Sequence, residues 1–254
     1  MVDAVVLAGS PNNGPLRECS PVPYEALIPI GSKAMVQYVV EALMLARGVN
    51  RIVVVGPREE LVNCFQDSRV RVVSSTGGGL LDNVQRGLKE LPGARRVLLV
   101  SSDIPLITPR AIEDFLDLCR DQEADLYYPI IPKDAVDSRF TNPVRRTYVS
   151  LKEGIFTGGN LFLLNPEVVS RCLPVGEQLV AARKSPLRLC RLVGLGFLIR
   201  FLLHRVTLEE AQARVSRLLG IRGVVVVSRY PEVGVDVDKP VDLALVARTL
   251  QQAS

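Results

Sequence analysis

The plainest chemistry in this chain is offered by an aspartate set just after an apolar run, where Ser101-Ser102-Asp103-Ile104-Pro105 follows Val97 to Val100. A carboxylate past the carboxyl end of a buried strand stands where open α/β sheets bind ligands, and hard divalent cations take oxygen donors. The competing task for an acidic residue here, capping the next helix, is already filled by Thr108 with Pro109 behind it. Asp103 is therefore a candidate metal ligand. A second acidic group comes late, in Asp236-Val237-Asp238. If 233–238 is extended, both side chains fall on one side. Lys239-Pro240 follow directly, so a helix start is the other use for Asp238.

Two glycine-bearing loops offer the complementary chemistry of close backbone approach to a ligand, the first of them to an anion. Leu7-Ala8-Gly9-Ser10, continuing through Asn12 and Gly14 to Arg17, lets backbone N–H groups approach a phosphate, with Arg17 as countercharge. Gly9 and Gly14 have P-loop spacing, but Pro15-Leu16 stand where lysine and a hydroxyl residue are required, and GxGxxG is absent. A tight connection is the plainer reading of this loop taken alone. Ser74-Ser75-Thr76-Gly77-Gly78-Gly79 leads to Asn83, an arrangement that admits close backbone approach and supplies one amide. Lys33 is a further cation, at the start of a helix.

The elements that must position these groups follow from periodicity. Val2–Leu7, Arg51–Val55, Val70–Val73 and Arg96–Val100 have strand character, and Ala34–Ala46, Glu59–Phe65, Leu80–Leu91 and Pro109–Arg120 have helical spacing. Their alternation predicts an α/β three-layer sandwich with a mostly parallel, Rossmann-like central sheet. Beyond it the pattern loosens: strands are expected over Ala124–Pro129, Arg146–Leu151 and Asn160–Leu164, with Glu153–Gly159 as a glycine-bearing connection. Gly158-Gly159-Asn160 suits an acceptor-side turn or a plain one. Arg139, Arg145, Arg146 and Lys133 could bind an acidic acceptor, but most such charges are merely solvated, and none is taken as a site residue.

Composition narrows the function classes. The chain has 254 residues, is 48% hydrophobic and carries a formal charge of +4 with few aromatics, which suits an anionic small substrate and does not point to nucleic acid. Five widely spaced cysteines without a CxxC pair fit reduced thiols, hence a cytoplasmic setting. The run Val2 to Ala8 leads straight into a glycine turn and reads as a first strand instead of a signal peptide. One domain over 1–254 is expected, with a helical insertion at about 176–220.

Taken together in order, four motifs resemble one family: Leu7-Ala8-Gly9, Ala26-Leu27-Ile28-Pro29-Ile30-Gly31-Ser32-Lys33, Ser102-Asp103-Ile104-Pro105-Leu106, and Gly234-Val235-Asp236-Val237-Asp238-Lys239-Pro240-Val241-Asp242-Leu243. The set is similar to nucleotidyltransferases of glycosyltransferase-A-like fold, in the branch of molybdenum cofactor guanylyl- and cytidylyltransferases, the MobA-like NTP transferases. The resemblance covers about 1–165 and 222–250. It implies transfer of a nucleotide from a nucleoside triphosphate to a phosphorylated acceptor, with Mg2+ or Mn2+ held by Asp103 and Asp238, assisted by Asp236. It implies that Leu7, Ala8, Gly9 and Ser10 hold the nucleotide phosphates and that Gly77, Gly78, Gly79 and Asn83 hold the base. The lysine that the family usually places before the apolar pair is absent, and Tyr24-Glu25 stand there. Arg17 and Lys33 are the cations available to replace it. A catalytically silent nucleotide-binding or regulatory protein is the alternative that Glu25 raises, and a metal-dependent glycosyltransferase using Asp236-Val237-Asp238 is a third.

Residues 186–205 mix long apolar side chains with arginine. The run is too short, and Arg200 too central, for a transmembrane helix. It suits a peripheral membrane contact, a lipid-like acceptor, a homodimer contact or plain core. His204, the single histidine, reads as structural, and Thr207 with Glu210 reads as a capping box.

Overall fold

The computed structural model describes residues 1–75, 77, 79–120, 123–140, 146–182 and 194–253. After β1 (Val2–Leu7) a short antiparallel hairpin, β2 (Pro29–Ile30) and β3 (Lys33–Ala34), leads into α1 (Met35–Leu45). β4 (Val49–Gly56), α2 (Arg58–Leu61), β5 (Val70–Ser74), α3 (Leu80–Lys89), β6 (Val97–Ser101) and α4 (Pro109–Leu118) complete the first half. The second half runs β7 (Leu126–Pro132), α5 (Lys133–Arg139), β8 (Val149–Leu151), β9 (Gly154–Gly158), β10 (Leu161–Leu164), α6 (Pro166–Ala182), α7 (Leu195–Leu202), α8 (Leu208–Leu219), β11 (Gly223–Val227) and α9 (Pro240–Ala253).

The strands form one sheet in the order β5-β4-β1-β6-β10-β7-β9-β8, with β11 beside β7. β10 and β9 run against the other described strands, so the sheet is mixed but mostly parallel. Ala4, Val5 and Val6 of β1 are fully buried, as expected of a parallel strand covered on both faces. One face packs Ala4 and Val6 with Met35, Val39 and Leu43 of α1 and Phe115 of α4. The other packs Val5, Val53, Val55 and Val97 with Leu91 and Leu164. α3 lies so close on that face that a Cβ at Gly87 would come within 2.4 Å of a Val5 methyl.

The first-half elements fall where the alternation places them, with ends shifted by a few residues. The second half departs from expectation in three places. Glu153–Gly159 is no mere connection, since it contains β9, a hairpin partner of β8. Gly158 and Gly159 are there for close packing, since a Cβ at Gly158 would overlap the Tyr128 hydroxyl and one at Gly159 would stand 2.8 Å from Pro129. The strand expected from Arg146 begins only at Val149, which leaves Arg146 on irregular backbone. The valine run of β11, not anticipated, adds a parallel strand to β7.

α6, α7 and α8 contain the described part of the region expected as an insertion, while residues 183–193 lie outside the described residues. α8 begins with the capping box, Thr207 Oγ1 accepting from the Glu210 N–H at 3.1 Å and Glu210 Oε2 from the Thr207 N–H at 3.0 Å. No described helix is long and apolar enough to cross a membrane.

Candidate functional site

The order β5-β4-β1-β6 means that the chain moves outward from β1 and then returns to its other side, so a crevice opens at the carboxyl ends of β1 and β6. Leu7 and Ser101, the last residues of those strands, are in register. The Ser102 N–H donates to the Leu7 carbonyl at 3.3 Å, so the first glycine loop and the Asp103 turn leave the sheet side by side.

The late acidic segment is stitched onto this crevice. The Val237 N–H donates to the Asp103 carbonyl at 2.8 Å. The Asn160 N–H donates to the Val233 carbonyl at 2.9 Å, and the Asn160 carbonyl accepts from Ser101 N–H at 3.0 Å. Residues 235–238 are not a strand, yet Val235 and Val237 are buried while Asp236 and Asp238 stay accessible. That alternation turns both carboxylates the same way. Oxygens of Asp103, Asp236 and Asp238 all lie within 4.8 Å of one another, close enough to coordinate a single ion.

Asp238 is free for this because another residue caps the helix. Asp242, buried in the first turn of α9, accepts from the Lys239 N–H at 2.9 Å and from the Asp238 N–H at 3.3 Å. Thr108 likewise caps α4, accepting from the Ala111 N–H at 3.2 Å, which releases Asp103.

Burial pushes the Asp103 carboxyl up to about 6, with the Ser101 hydroxyl opposing and the negative charges of Asp238 and Glu25 adding to the rise. Its Oδ1 is buried without a hydrogen-bond partner. A buried orphan acceptor, raised in pKa by desolvation and by neighbouring carboxylates, is what a cation would satisfy. Glu25 begins a one-turn helix over Glu25–Leu27 and is held by its N–H, which donates to the Ser10 carbonyl at 3.1 Å. Its carboxylate therefore adds to the negative field at Asp103.

The group that sequence reasoning passed over is Arg146. Its guanidinium pairs with Asp236 within this cluster, and its side chain is only 11% exposed. Burial lowers its pKa, while Asp238, Asp242 and Asp103 act to hold its charge. No local pattern distinguishes Arg146 from Arg145 in the sequence, and the strand expected from Arg146 gave no sign that its side chain would turn to Asp236.

The two glycine loops meet at Gly9, where a Cβ would stand 3.0 Å from Asn83 Nδ2 and 3.2 Å from Ser75 Cβ. Asn83 is buried with its Oδ1 lacking a partner. Gly9, between Leu7-Ala8 and Ser10, is thus the point at which the first loop abuts Ser75 and Asn83. Gly77 and Gly79 adopt φ of +72° and +96°, values that favour glycine, and Gly79 is the N-cap of α3. Gly78 lies outside the described residues. The first loop is held open by Asn12, whose Nδ2 donates to the Ser20 and Val22 carbonyls at 3.0 and 2.9 Å. The candidate cations are less well placed. Arg17 Nη1 donates to the Pro21 and Val22 carbonyls at 2.6 and 3.0 Å. Lys33 is engaged by Glu41 at 2.6 Å and sits over the Tyr38 ring.

Residues 24–190 match the MobA-like NTP transferase domain. Among solved structures, a hypothetical transferase from Thermus thermophilus is 42% identical, with a TM-score of 0.83 over 95% of this chain and 99% of that one. A CMP:2-keto-3-deoxy-manno-octonic acid synthetase complexed with CTP is 15% identical, with a TM-score of 0.66 over 100% of this chain and 99% of that one. A 4-diphosphocytidyl-2C-methyl-D-erythritol synthase from Anaerococcus prevotii is 12% identical, with a TM-score of 0.59 over 99% of this chain and 96% of that one. The last two likenesses concern the fold alone. No curated protein matches the chain.

Proposed function

This chain belongs to the MobA-like NTP transferase domain family, and from that premise we propose that it transfers a nucleoside monophosphate group from a nucleoside triphosphate to a phosphorylated acceptor. An acceptor phosphate oxygen attacks the α-phosphorus, the bond to the β-phosphate breaks, and pyrophosphate leaves. The observation that carries this reading is the convergence of Asp103, Asp236 and Asp238 at the crevice beside the glycine loop.

Three carboxylates with an orphaned buried oxygen fit a hard divalent cation, Mg2+ or Mn2+. Such an ion, when bound, supplies charge neutralisation at the triphosphate. The chain's own residues do the positioning on which phosphoryl chemistry depends. Asp103 is anchored to β6 and Asp236 and Asp238 are tied to it through Val237, so the donor set is preorganised by backbone hydrogen bonds. The backbone amides of Gly9 and Ser10 are offered to the phosphates, the Ala8 N–H being spent on the Val55 carbonyl, while Gly77, Gly79 and Asn83 border the base. Asn160, whose Nδ2 is buried without a partner beside Ser101, lies on the acceptor side. Arg17 retains nitrogens beyond its tethered Nη1 for an anion. Lys33, neutralised by Glu41, is a weaker candidate.

Pyrophosphate release from each of the four common nucleoside triphosphates with Mg2+, against a panel of phosphorylated acceptors, tests this reading. Release with one triphosphate, lost in Asp103→Asn, is the expected result. Binding of a triphosphate without release under any acceptor favours the second reading, a nucleotide-binding protein without turnover. The observation behind that reading is Glu25, whose charge adds to the negative field at Asp103 at the position where the family usually has lysine.

A further inference from the structure

Asp103, Asp236 and Asp238 crowd three carboxylates together, and Glu25 contributes a further negative field at Asp103. Like charges so close repel strongly in a partly buried crevice. Among the described residues, one guanidinium answers them: Arg146, from the second half of the chain, seated on Asp236 with its Nε buried and unpartnered. Arg17 donates to carbonyls of its own loop and Lys33 is held by Glu41, so neither is committed to this cluster.

We propose that Arg146 is a placeholder cation, occupying Asp236 in the ligand-free protein and moving to the triphosphate when the metal–nucleotide complex takes the carboxylates. The proposal rests on the nucleotidyltransferase reading and extends it by naming the cation that stands in for the missing lysine. Its physical basis is exchange of partners within one cleft. A divalent ion and a guanidinium compete for the same carboxylate oxygens, so the metal alone must displace Arg146 and leave it without a counter-ion. The metal arriving with a polyphosphate brings the displaced guanidinium a new partner. A planar guanidinium forms paired hydrogen bonds to phosphate oxygens, a geometry that an ammonium cannot copy. Arg146 is suited to the move because it sits on irregular backbone ahead of β8. Its Nε, lacking a partner, is a donor still to be used.

The two ligands respond to loss of Arg146 in opposite directions, which a merely structural ion pair would not produce. Binding of Mn2+ alone, followed by the electron paramagnetic resonance signal of free Mn2+, is expected to tighten by on the order of tenfold in Arg146→Gln, since a unit charge is removed from contact with the site. Binding of inorganic tripolyphosphate in the presence of Mn2+ is expected to weaken by at least about tenfold, the effect of losing one charge-assisted contact. Arg146→Lys, which keeps the charge but not the fork, should leave Mn2+ binding near wild type and still weaken tripolyphosphate binding. Weaker or unchanged Mn2+ binding in Arg146→Gln, with Arg146→Lys folded and unaffected in both measurements, overturns the placeholder role while leaving the nucleotidyltransferase reading intact. Absence of any Mn2+ binding to wild type, with or without tripolyphosphate, overturns both.

Discussion

α1 buries Met35, Val36, Val39, Val40, Ala42 and Leu43 against the first half of the sheet, whereas α7 and α8 bury no residue fully, and α7 leaves Leu195, Ile199 and Leu202 exposed. The difference in packing runs parallel to a difference in chemistry. The first half presents Asp103 at the end of a strand with apolar residues on both faces, and it supplies the loops that meet at Gly9. The second half presents its charges, Arg146, Asp236 and Asp238, on irregular backbone tied to the first half by single hydrogen bonds such as that from Val237 to Asp103. A close-packed scaffold can tolerate a carboxylate held in an unfavourable place, and a looser one can supply groups that change partners.

The largest effect that tests this contrast comes from Asp103→Asn. An ordinary aspartate titrates near 3.8 and burial holds Asp103 near 6, so between those values the folded chain keeps a proton that the unfolded chain has lost. The stability of the metal-free protein therefore falls as pH rises through that window, and the full cost of about 3 kcal/mol is present at pH 7. Asp103→Asn should thus raise metal-free stability at pH 7 by up to about 3 kcal/mol, with no such gain at pH 4, while abolishing Mg2+-dependent nucleotide binding. Urea unfolding at the two pH values and thermal shifts with Mg2+ and nucleotide check both parts. Equal destabilisation at both would mark Asp103 as a packing residue.

Gly87→Ala probes the scaffold itself. A Cβ there would press on Val5 and Val55, and overpacking should cost about 2 kcal/mol, seen as a lower urea midpoint with an unchanged slope. Glu25→Lys asks whether the first half can be given its own cation. Triphosphate binding, measured by calorimetry, should tighten by about tenfold, the size of a 1.4 kcal/mol change in local electrostatics; no change would mean the loop has been rebuilt around Glu25. Thr207→Ala removes the cap of α8 at a cost of about 1 kcal/mol by thermal unfolding and should leave Mg2+-triphosphate binding untouched. A larger loss there than in Gly87→Ala would reverse the ranking of the two halves.

The first half was legible because its signals are local. The apolar runs of β1 and β6, the Thr108-Pro109 helix start and the glycine turns each occupy a few consecutive residues, and the structure reproduces them. In the second half the same rules misled at β9. Gly154 and Gly158 read as turn residues, whereas Gly158 lies within a strand because the Tyr128 hydroxyl fills the space a side chain would need. Arg146 failed for a related reason. One arginine among several in a charged, non-periodic stretch carries no mark of where its side chain will go.

By itself the sequence determined the α/β alternation, the crevice at the end of β6 and the types of residue that would gather there, since periodicity and punctuation encode which strand ends carry acid and which turns carry glycine. Only the tertiary structure decided that the Asp236-Asp238 segment would be pinned to Asp103 through Val237 and that Arg146 would be drawn onto Asp236. Those contacts join residues far apart in the chain, and their energies come from burial and charge compensation that no local window contains.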